Sequence, residues 1–387
     1  VARPRFTPAE RGLIATAAAI VFTRVFAFSL TALGFTEFAR ALVPAGTSQA
    51  TADLLAGIAL GAYGVTMALA QLGTGILSDR IGRRPVLLLG TAVFVAGAVL
   101  SAFATDVRVL IAARLLQGLG GVSSAALAAV GETVPEERRT TAMALVGVPA
   151  GLGVFLGFVV GPPVAALLGF RSLFWLTAGL GLLASVALLR PLPAALPGLA
   201  QPRRSLGLPV LALAAAGFTI NFAMNAVMYD FQSGVLSRLG NVALAGCLLL
   251  ALLVMGGASR AVDRSRATWL PIVAALAVLA LAGPVFRLSP MVGVVFAAGT
   301  AFFAAHATLS AVLPSQVSRL AGRSGGLGHG IQLVVAYLGS AAGAIVAGAF
   351  AQRLAEAFAV LAAVATCAVL LTLLGLRRAA RTVEVVA

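Results

Sequence analysis

Apolar residues run along this chain in blocks of about twenty, separated by short polar breaks. A helix needs roughly 20 apolar residues to cross the hydrocarbon core of a bilayer, so the blocks predict spanning helices. Twelve are expected, over about 12–40, 53–77, 85–104, 107–131, 140–166, 170–190, 208–231, 239–257, 268–286, 290–312, 328–351 and 356–376. The first follows Arg3, Arg5 and Arg11 and runs to about Phe35. That is too long for the roughly 7–15-residue apolar region of a signal peptide, so it reads as the first span. The longest polar-leaning break is the Pro-rich, basic stretch 190–209, which reads as a linker between two halves.

The arginines give an orientation. They cluster at the N-terminus, after spans 2, 4, 6, 8 and 10, and in the tail, whereas the alternate breaks hold mostly single arginines. By the positive-inside rule both termini are expected in the cytoplasm, in accord with an even number of spans. An internal echo supports duplication: Gly73 precedes Asp79-Arg80 by six residues, and Gly257 precedes Asp263-Arg264 by six. The expected fold is an all-α membrane protein of twelve transmembrane helices in two pseudo-symmetric six-helix bundles. These are residues 1–190 and 208–387, joined by a cytoplasmic linker over 191–207.

Composition narrows the functional classes. The chain is 60% hydrophobic and 10% charged, with mean hydropathy +1.05, against about 45–50% and about 25% for soluble domains. The net charge of +15 could suggest nucleic acid, but the arginines form no single basic stripe, so no nucleic-acid partner is expected. Cys247 and Cys367 lie inside apolar runs and read as small packing residues; no metal or other cofactor is expected. No G-x-x-x-x-G-K-[ST] loop occurs, so ATP is not the expected energy source. With two histidines and no nucleophile constellation, enzymatic activity is not expected.

The stretch Gly75–Arg84, GILSDRIGRR, resembles the loop 2–3 signature of the major facilitator superfamily, G-x-L-[AS]-D-R-x-G-R-[RK]. RLLQGLG (114–120) is similar to that family's fourth-helix R-x-x-Q-G motif. GFVVGPP (157–163) is similar to its fifth-helix G-x-x-x-G-P antiporter motif, without the usual glycines after the proline. The pattern as a whole resembles the twelve-span drug:proton antiporter branch. The resemblance implies a multi-pass protein of the cell (inner) membrane that moves a small-molecule substrate on a proton gradient.

A short charged loop between neighbouring helices suits a conformational latch of Gly75, Asp79, Arg80, Gly82, Arg83, Arg84, Glu132 and Glu136. Gly75 and Gly82 permit close approach. Asp79 can face a helix N-terminus, which the resemblance places on the eleventh helix. Arg80, Arg83 and Arg84 can pair with Glu132, Glu136 or Glu137; alternatively they set topology and bind lipid headgroups. Arg24 and Arg114 lie within spans, where charge is costly and marks function by default. They face either a substrate cavity or neighbouring helix carbonyls. Asn221 and Asn225 share a face of the seventh helix at i, i+4. With Phe28, Gln117, Gln332, Met228 and Tyr229 they are candidates for an adaptable pocket. Proton coupling needs a titrating group, and the candidates are Glu37, Asp53, Asp230 and His306, of which Glu37 or Asp230 is the first choice. The glycines of the fifth helix, with Gly157, Gly161 and Pro162 as its interface motif, allow close helix contact and are expected to seal or bend the meeting of the two halves.

The expected function is proton-coupled efflux of lipophilic or amphipathic small molecules by alternating access, carried out by a monomer in the lipid bilayer. The alternatives are a carrier for an anionic metabolite using Arg24 and Arg114, and a non-transporting membrane receptor or scaffold.

Overall fold

A computed structural model of the chain describes residues 6–188, 208–229, 237–264, 269–321 and 325–353, with 360, 363–365 and 367–369. The expected linker lies outside the described residues, as does most of the twelfth expected span. Among the described residues all regular structure is helical. The elements are α1 Pro8–Ala32, α2 Phe35–Ala41, α3 Gln49–Ile81, α4 Arg83–Phe103, α5 Val107–Leu119, α6 Ser123–Thr133, α7 Glu136–Leu168, α8 Arg171–Ala187, α9 Leu208–Met228, α10 Ser237–Arg264, α11 Trp269–Leu288, α12 Val292–Ala321 and α13 Gly325–Ala349. Eight helical stretches among them are long and apolar enough to cross a membrane, and three further apolar helices are shorter. The chain is thus an all-α, multi-span membrane protein.

Three expected elements differ in detail, each for a local reason. The first span is two helices, because Gly34 turns the backbone at φ +87° between α1 and α2; only glycine adopts such a φ without strain. The fourth span is broken at Gly120–Val122 into α5 and α6. A break inside a bilayer leaves backbone groups that protein must satisfy. Here the Gln71 carbonyl oxygen accepts from the Ser124 N–H at 2.9 Å, in the first turn of α6. The predicted charged loop is mostly helix: α3 continues to Ile81, α4 begins at Arg83, and Gly82 alone makes the turn at φ +91°.

The chain forms two compact units. One contains α1, the second half of α3 and α4–α8. The other contains α2, the first half of α3 and α9–α13.

In the first unit α7 lies along α1. Gly153, Gly157 and Gly161, spaced by four, press against the backbone of Phe22, Phe26 and Leu30. A Cβ at position 157 would stand 2.6 Å from the Ser29 Cβ and 2.8 Å from the Leu30 nitrogen. Gly147 and Gly151 face open space. The five glycines predicted to share one role are therefore two rows, and one row packs. That row serves α1 inside this unit.

The second unit repeats the arrangement with α13 along α9. Gly339 presses on the backbone of Phe218, and Gly343 on that of Phe222. The rings of Phe22 and Phe26 stack at 5.5 Å, and those of Phe218 and Phe222 at 6.0 Å. The sequence carries this repeat: FTRVFAFS (22–29) and FTINFAMN (218–225) share four of eight residues at a separation of 196. It is a closer echo than the glycine–aspartate spacing noted above.

Arginines fix helix ends in the first unit. Arg84, at the start of α4, donates through Nε to the Leu188 carbonyl at the end of α8, at 2.8 Å. Arg171, at the start of α8, donates to the Ala102 carbonyl near the end of α4, at 2.6 Å. Each cation meets the negative end of the partner's helix dipole. At the start of α1, Thr7 and Glu10 form a capping box, and Glu10 takes both Nη atoms of Arg138 on α7 at 3.0 Å.

The two glycine rows of α7 give a paired test. Gly157→Ala pushes a methyl into α1 backbone and should cost about 1–3 kcal/mol. Gly151→Ala meets nothing and should be neutral or stabilise by up to about 1 kcal/mol. Thermal unfolding of the two variants in detergent reads the difference.

Candidate functional site

The densest polar network of the second unit sits where α2, the start of α3 and the end of α9 meet. Arg40, in the last turn of α2, pairs through Nε with Oδ1 of Asp53 at 2.7 Å. Gln49 Nε2 donates to the same oxygen at 3.2 Å. The Tyr229 hydroxyl donates to the Asp53 backbone carbonyl at 2.6 Å. The Arg40 guanidinium lies 5.1 Å from the centre of the Tyr229 ring, and the Thr36 hydroxyl donates to the Tyr229 carbonyl. Asp53 and Tyr229 are buried.

From this lock the first half of α3 runs along α13 with glycine at each crossing. A Cβ on Gly57, Gly61 or Gly64 would stand 2.6–2.9 Å from the carbonyl oxygens of Ala344, Ala341 and Tyr337 respectively. Tyr229, expected in a substrate pocket, and Asp53, expected as a proton carrier, are thus both bound into this lock. Glu37 lies part-buried in the first turn of α2.

Further along α9, Asn225 is buried and donates through Nδ2 to the Ser340 hydroxyl at 2.8 Å and to the Asn221 carbonyl at 3.0 Å. Asn221 donates to the Gly217 carbonyl at 2.9 Å. Gln332 is buried, and its side chain passes Gly217. The expected cavity residues Asn221, Asn225 and Gln332 therefore fall on the α9–α13 seam. His306 lies midway along α12. Asp230 lies outside the described residues.

The first unit holds its own set. Arg24 is buried on α1, with Nη2 3.3 Å from the Gly90 carbonyl and 3.4 Å from the Thr91 hydroxyl. Its guanidinium covers the Phe94 ring at 3.8 Å, a favourable cation–π geometry. Arg114, also buried, donates to Gln117 Oε1 at 2.6 Å. The Gln117 backbone meets Gly97 of the same α4 that carries Phe94. Phe28 is part-buried on α1. Gln71, which caps α6, was not singled out from the sequence, and neither were Ser340 and the Arg40–Asp53 pair. A lone glutamine in a span rich in small residues was the available signal for Gln71.

For the expected latch, Arg83 donates to the Ser78 hydroxyl, Arg84 reaches Leu188 as above, and Arg80 is exposed. Gly75 sits within α3, Gly82 at its end, and Pro162 within α7 beside Gly161. The side chains of Asp79, Glu132 and Glu136 lie outside the description.

Buried arginine, glutamine and asparagine inside otherwise apolar helices, with a helix broken mid-span, define a polytopic protein with polar groups placed along a membrane path. The chain belongs to the Major Facilitator Superfamily, whose sequence model matches residues 12–333. It is 40% identical over 152 residues to the inner membrane transport protein YajR of Escherichia coli (strain K12), covering 39% of this chain and 34% of that protein. It is 32% identical over 144 residues to the multidrug resistance protein MdtL of Shigella flexneri serotype 5b, covering 35% and 37%. The matched part thus spans about a third of these relatives' length. Among solved structures it is similar in fold to the D-xylose-proton symporter, with a TM-score of 0.76 at 17% identity over 94% of this chain and 96% of that one. It is likewise similar to the human organic anion transporter MFSD10 (TETRAN), with a TM-score of 0.68 at 19% identity over 95% and 100%.

Arg40→Gln removes the cation from a buried carboxylate. The pair lies between an exposed ion pair, worth about 0–1 kcal/mol, and a fully buried one, costing about 3–5 kcal/mol to break. We expect a loss of about 1–3 kcal/mol in thermal unfolding, and a smaller loss for Tyr229→Phe, which keeps the ring.

Proposed function

We propose that this protein exports lipophilic or amphipathic small molecules across the cell membrane in exchange for protons, by alternating access of two six-helix bundles. The observation that carries the transport path is the set of buried polar side chains in apolar helices: Arg24, Arg114 and Gln117 in one unit, Asn225 and Gln332 in the other. A charge at mid-bilayer costs about 2.5–3.5 kcal/mol on insertion scales, and such residues mark substrate paths. The substrate-facing residues we assign are Arg24, Phe28, Arg114, Gln117, Asn221, Asn225 and Gln332. The likeness to a multidrug resistance protein and the antiporter-type stretch 157–163 support export. The glycine-lined approach of α3 to α13 supports a gate, because small residues part without unlocking interdigitated side chains. With both termini in the cytoplasm, the Arg40–Asp53 lock closes the outer side and the Gly75–Arg84 motif serves as the inner latch.

A second reading rests on a specific observation. Arg24 and Arg114 are both permanently charged and buried, which suits an anionic substrate.

Liposomes containing the purified chain, given an inside-acidic pH gradient, separate these readings. Ethidium added outside should collapse the gradient. Collapse by p-aminohippurate alone, abolished by Arg24→Ala, would move the assignment to an anion carrier. No response to either probe would remove the case for proton exchange with both substrate classes.

A further inference from the structure

Of the candidate proton carriers, Glu37 lies in the first turn of α2 and Asp53 is bound to Arg40. His306 is placed differently. It stands 14 residues from the start of α12 and 15 from its end, about 21 Å from either at about 1.5 Å per residue. Its Nε2 is buried and has no hydrogen-bond partner among the described residues.

α12 packs against α9, α10, α11 and α13. The sequence places no charged side chain in the membrane-embedded parts of those helices. Over 208–229, 239–259, 269–286, 292–318 and 330–349, His306 is the one residue of the Asp, Glu, Lys, Arg or His types. The other groups able to titrate there are Cys247 on α10, whose thiol donates to the Phe296 carbonyl at 3.2 Å, and the phenols Tyr229 and Tyr337. The nearest charged residues along the sequence, Arg260, Asp263, Arg264, Arg287, Arg319 and His329, all belong to helix ends.

From the buried ring nitrogen without a hydrogen-bond partner among the described residues, inside the apolar stretch of α12, and the absence of any other charge-bearing residue in the apolar stretches of α9–α13, we propose that His306 is the proton-binding site that couples transport to the proton gradient. The proposal rests on the transport function given above. A buried nitrogen without a partner fits the neutral ring, because an unpaired charge there would go unsolvated. Nε2 takes a proton from water when its surroundings are wetted, forming the imidazolium. The same N–H bond breaks to water on the other side of the membrane after the conformational change. An imidazole is the side chain whose ordinary titration lies between pH 5 and 8. Burial in one state and wetting in the other make its charge depend on the state.

The test uses the full chain in liposomes with ethidium and, separately, p-aminohippurate. Two readouts are compared: accumulation driven by a pH gradient, and counterflow exchange of labelled against unlabelled probe without one. For His306→Gln we expect gradient-driven accumulation to fall about tenfold or more, within the usual range of coupling, with counterflow near the wild-type rate. Accumulation that survives in His306→Gln overturns the proposal. Loss of counterflow as well, in both His306→Gln and His306→Asn, also overturns it, by showing that the ring serves packing. If wild-type protein moves neither probe, the proposed substrate classes fail, and the imidazole is read directly. In His329→Gln, which leaves His306 as the one histidine, the nitrogen-15 signals should shift with pH between 5 and 8. Signals unchanged from pH 4.5 to 9 refute His306 as a proton site.

Discussion

Backbone-on-backbone contact through glycine is the constraint on which the rest of this structure depends. Between helices in a bilayer there is little hydrophobic drive, because lipid tails are as apolar as leucine; close packing and short polar contacts must hold the bundle. The α1–α7 and α9–α13 pairs meet this by bringing glycine faces against the backbone of paired phenylalanines. That contact fixes which way every other residue of α1 and α9 points. Phe22 and Phe26 turn their backbone to α7, so Arg24, two residues from each and about 200° around the helix, is directed away from α7. It meets Gly90, Thr91 and Phe94 of α4. Asn225, three residues after Phe222, stays on the α13 side and meets Ser340 beside Gly339. The same scaffold thus presents a cation to a neighbouring helix in one unit and an amide to its own partner helix in the other.

α3 carries the second constraint. It is one continuous helix of 33 residues, yet its first half packs with one unit and its second half with the other. The first half uses glycine at 57, 61 and 64, so α13 approaches on bare backbone. The second half uses side chains: Met67 lies against Gly121, and Gln71 caps α6. Glycine contacts separate without side-chain rearrangement, whereas losing the Gln71 cap would leave a part-buried N–H without its bond, at about 1 kcal/mol. The first half is thus held by the Asp53 contacts and bare backbone, the second by interdigitating side chains and the Gln71 cap.

Much of this was legible in the sequence, and the remainder has identifiable causes. Hydropathy blocks located the helices because the bilayer fixes their length and excludes charge. The polar positions Arg24, Arg114, Gln117 and Asn225 stood out for the same reason. The breaks at Gly34 and Gly120 did not stand out, because the chain has 43 glycines and a break survives only where a partner such as Gln71, some fifty residues away, takes up the freed N–H. Five glycines on α7 suggested one packed seam; α1 is narrow enough to meet one of the two rows. Arg84 was matched to acidic residues, since from sequence a carboxylate is a visible partner for a guanidinium. The Leu188 carbonyl at the end of α8, which takes the Arg84 Nε–H, appears as a partner only once α4 and α8 are seen to lie together.

The two units also differ in what kind of charge their membrane interiors can carry. In the first, Arg24 and Arg114 hold positive charge at any physiological pH, because a guanidinium does not release its proton. A permanent charge can hold a substrate but cannot report a proton gradient. In the second, Asp53 is paired with Arg40, and over the apolar stretches of α9–α13 the one charge-bearing residue is His306, whose imidazole can be neutral or charged. If a proton gradient drives this protein, its electrostatic work enters only where charge is variable. If the arginines receive the substrate, the variable group must act from the other unit. Coupling would then be a property of the conformational change and not of direct contact between proton and substrate.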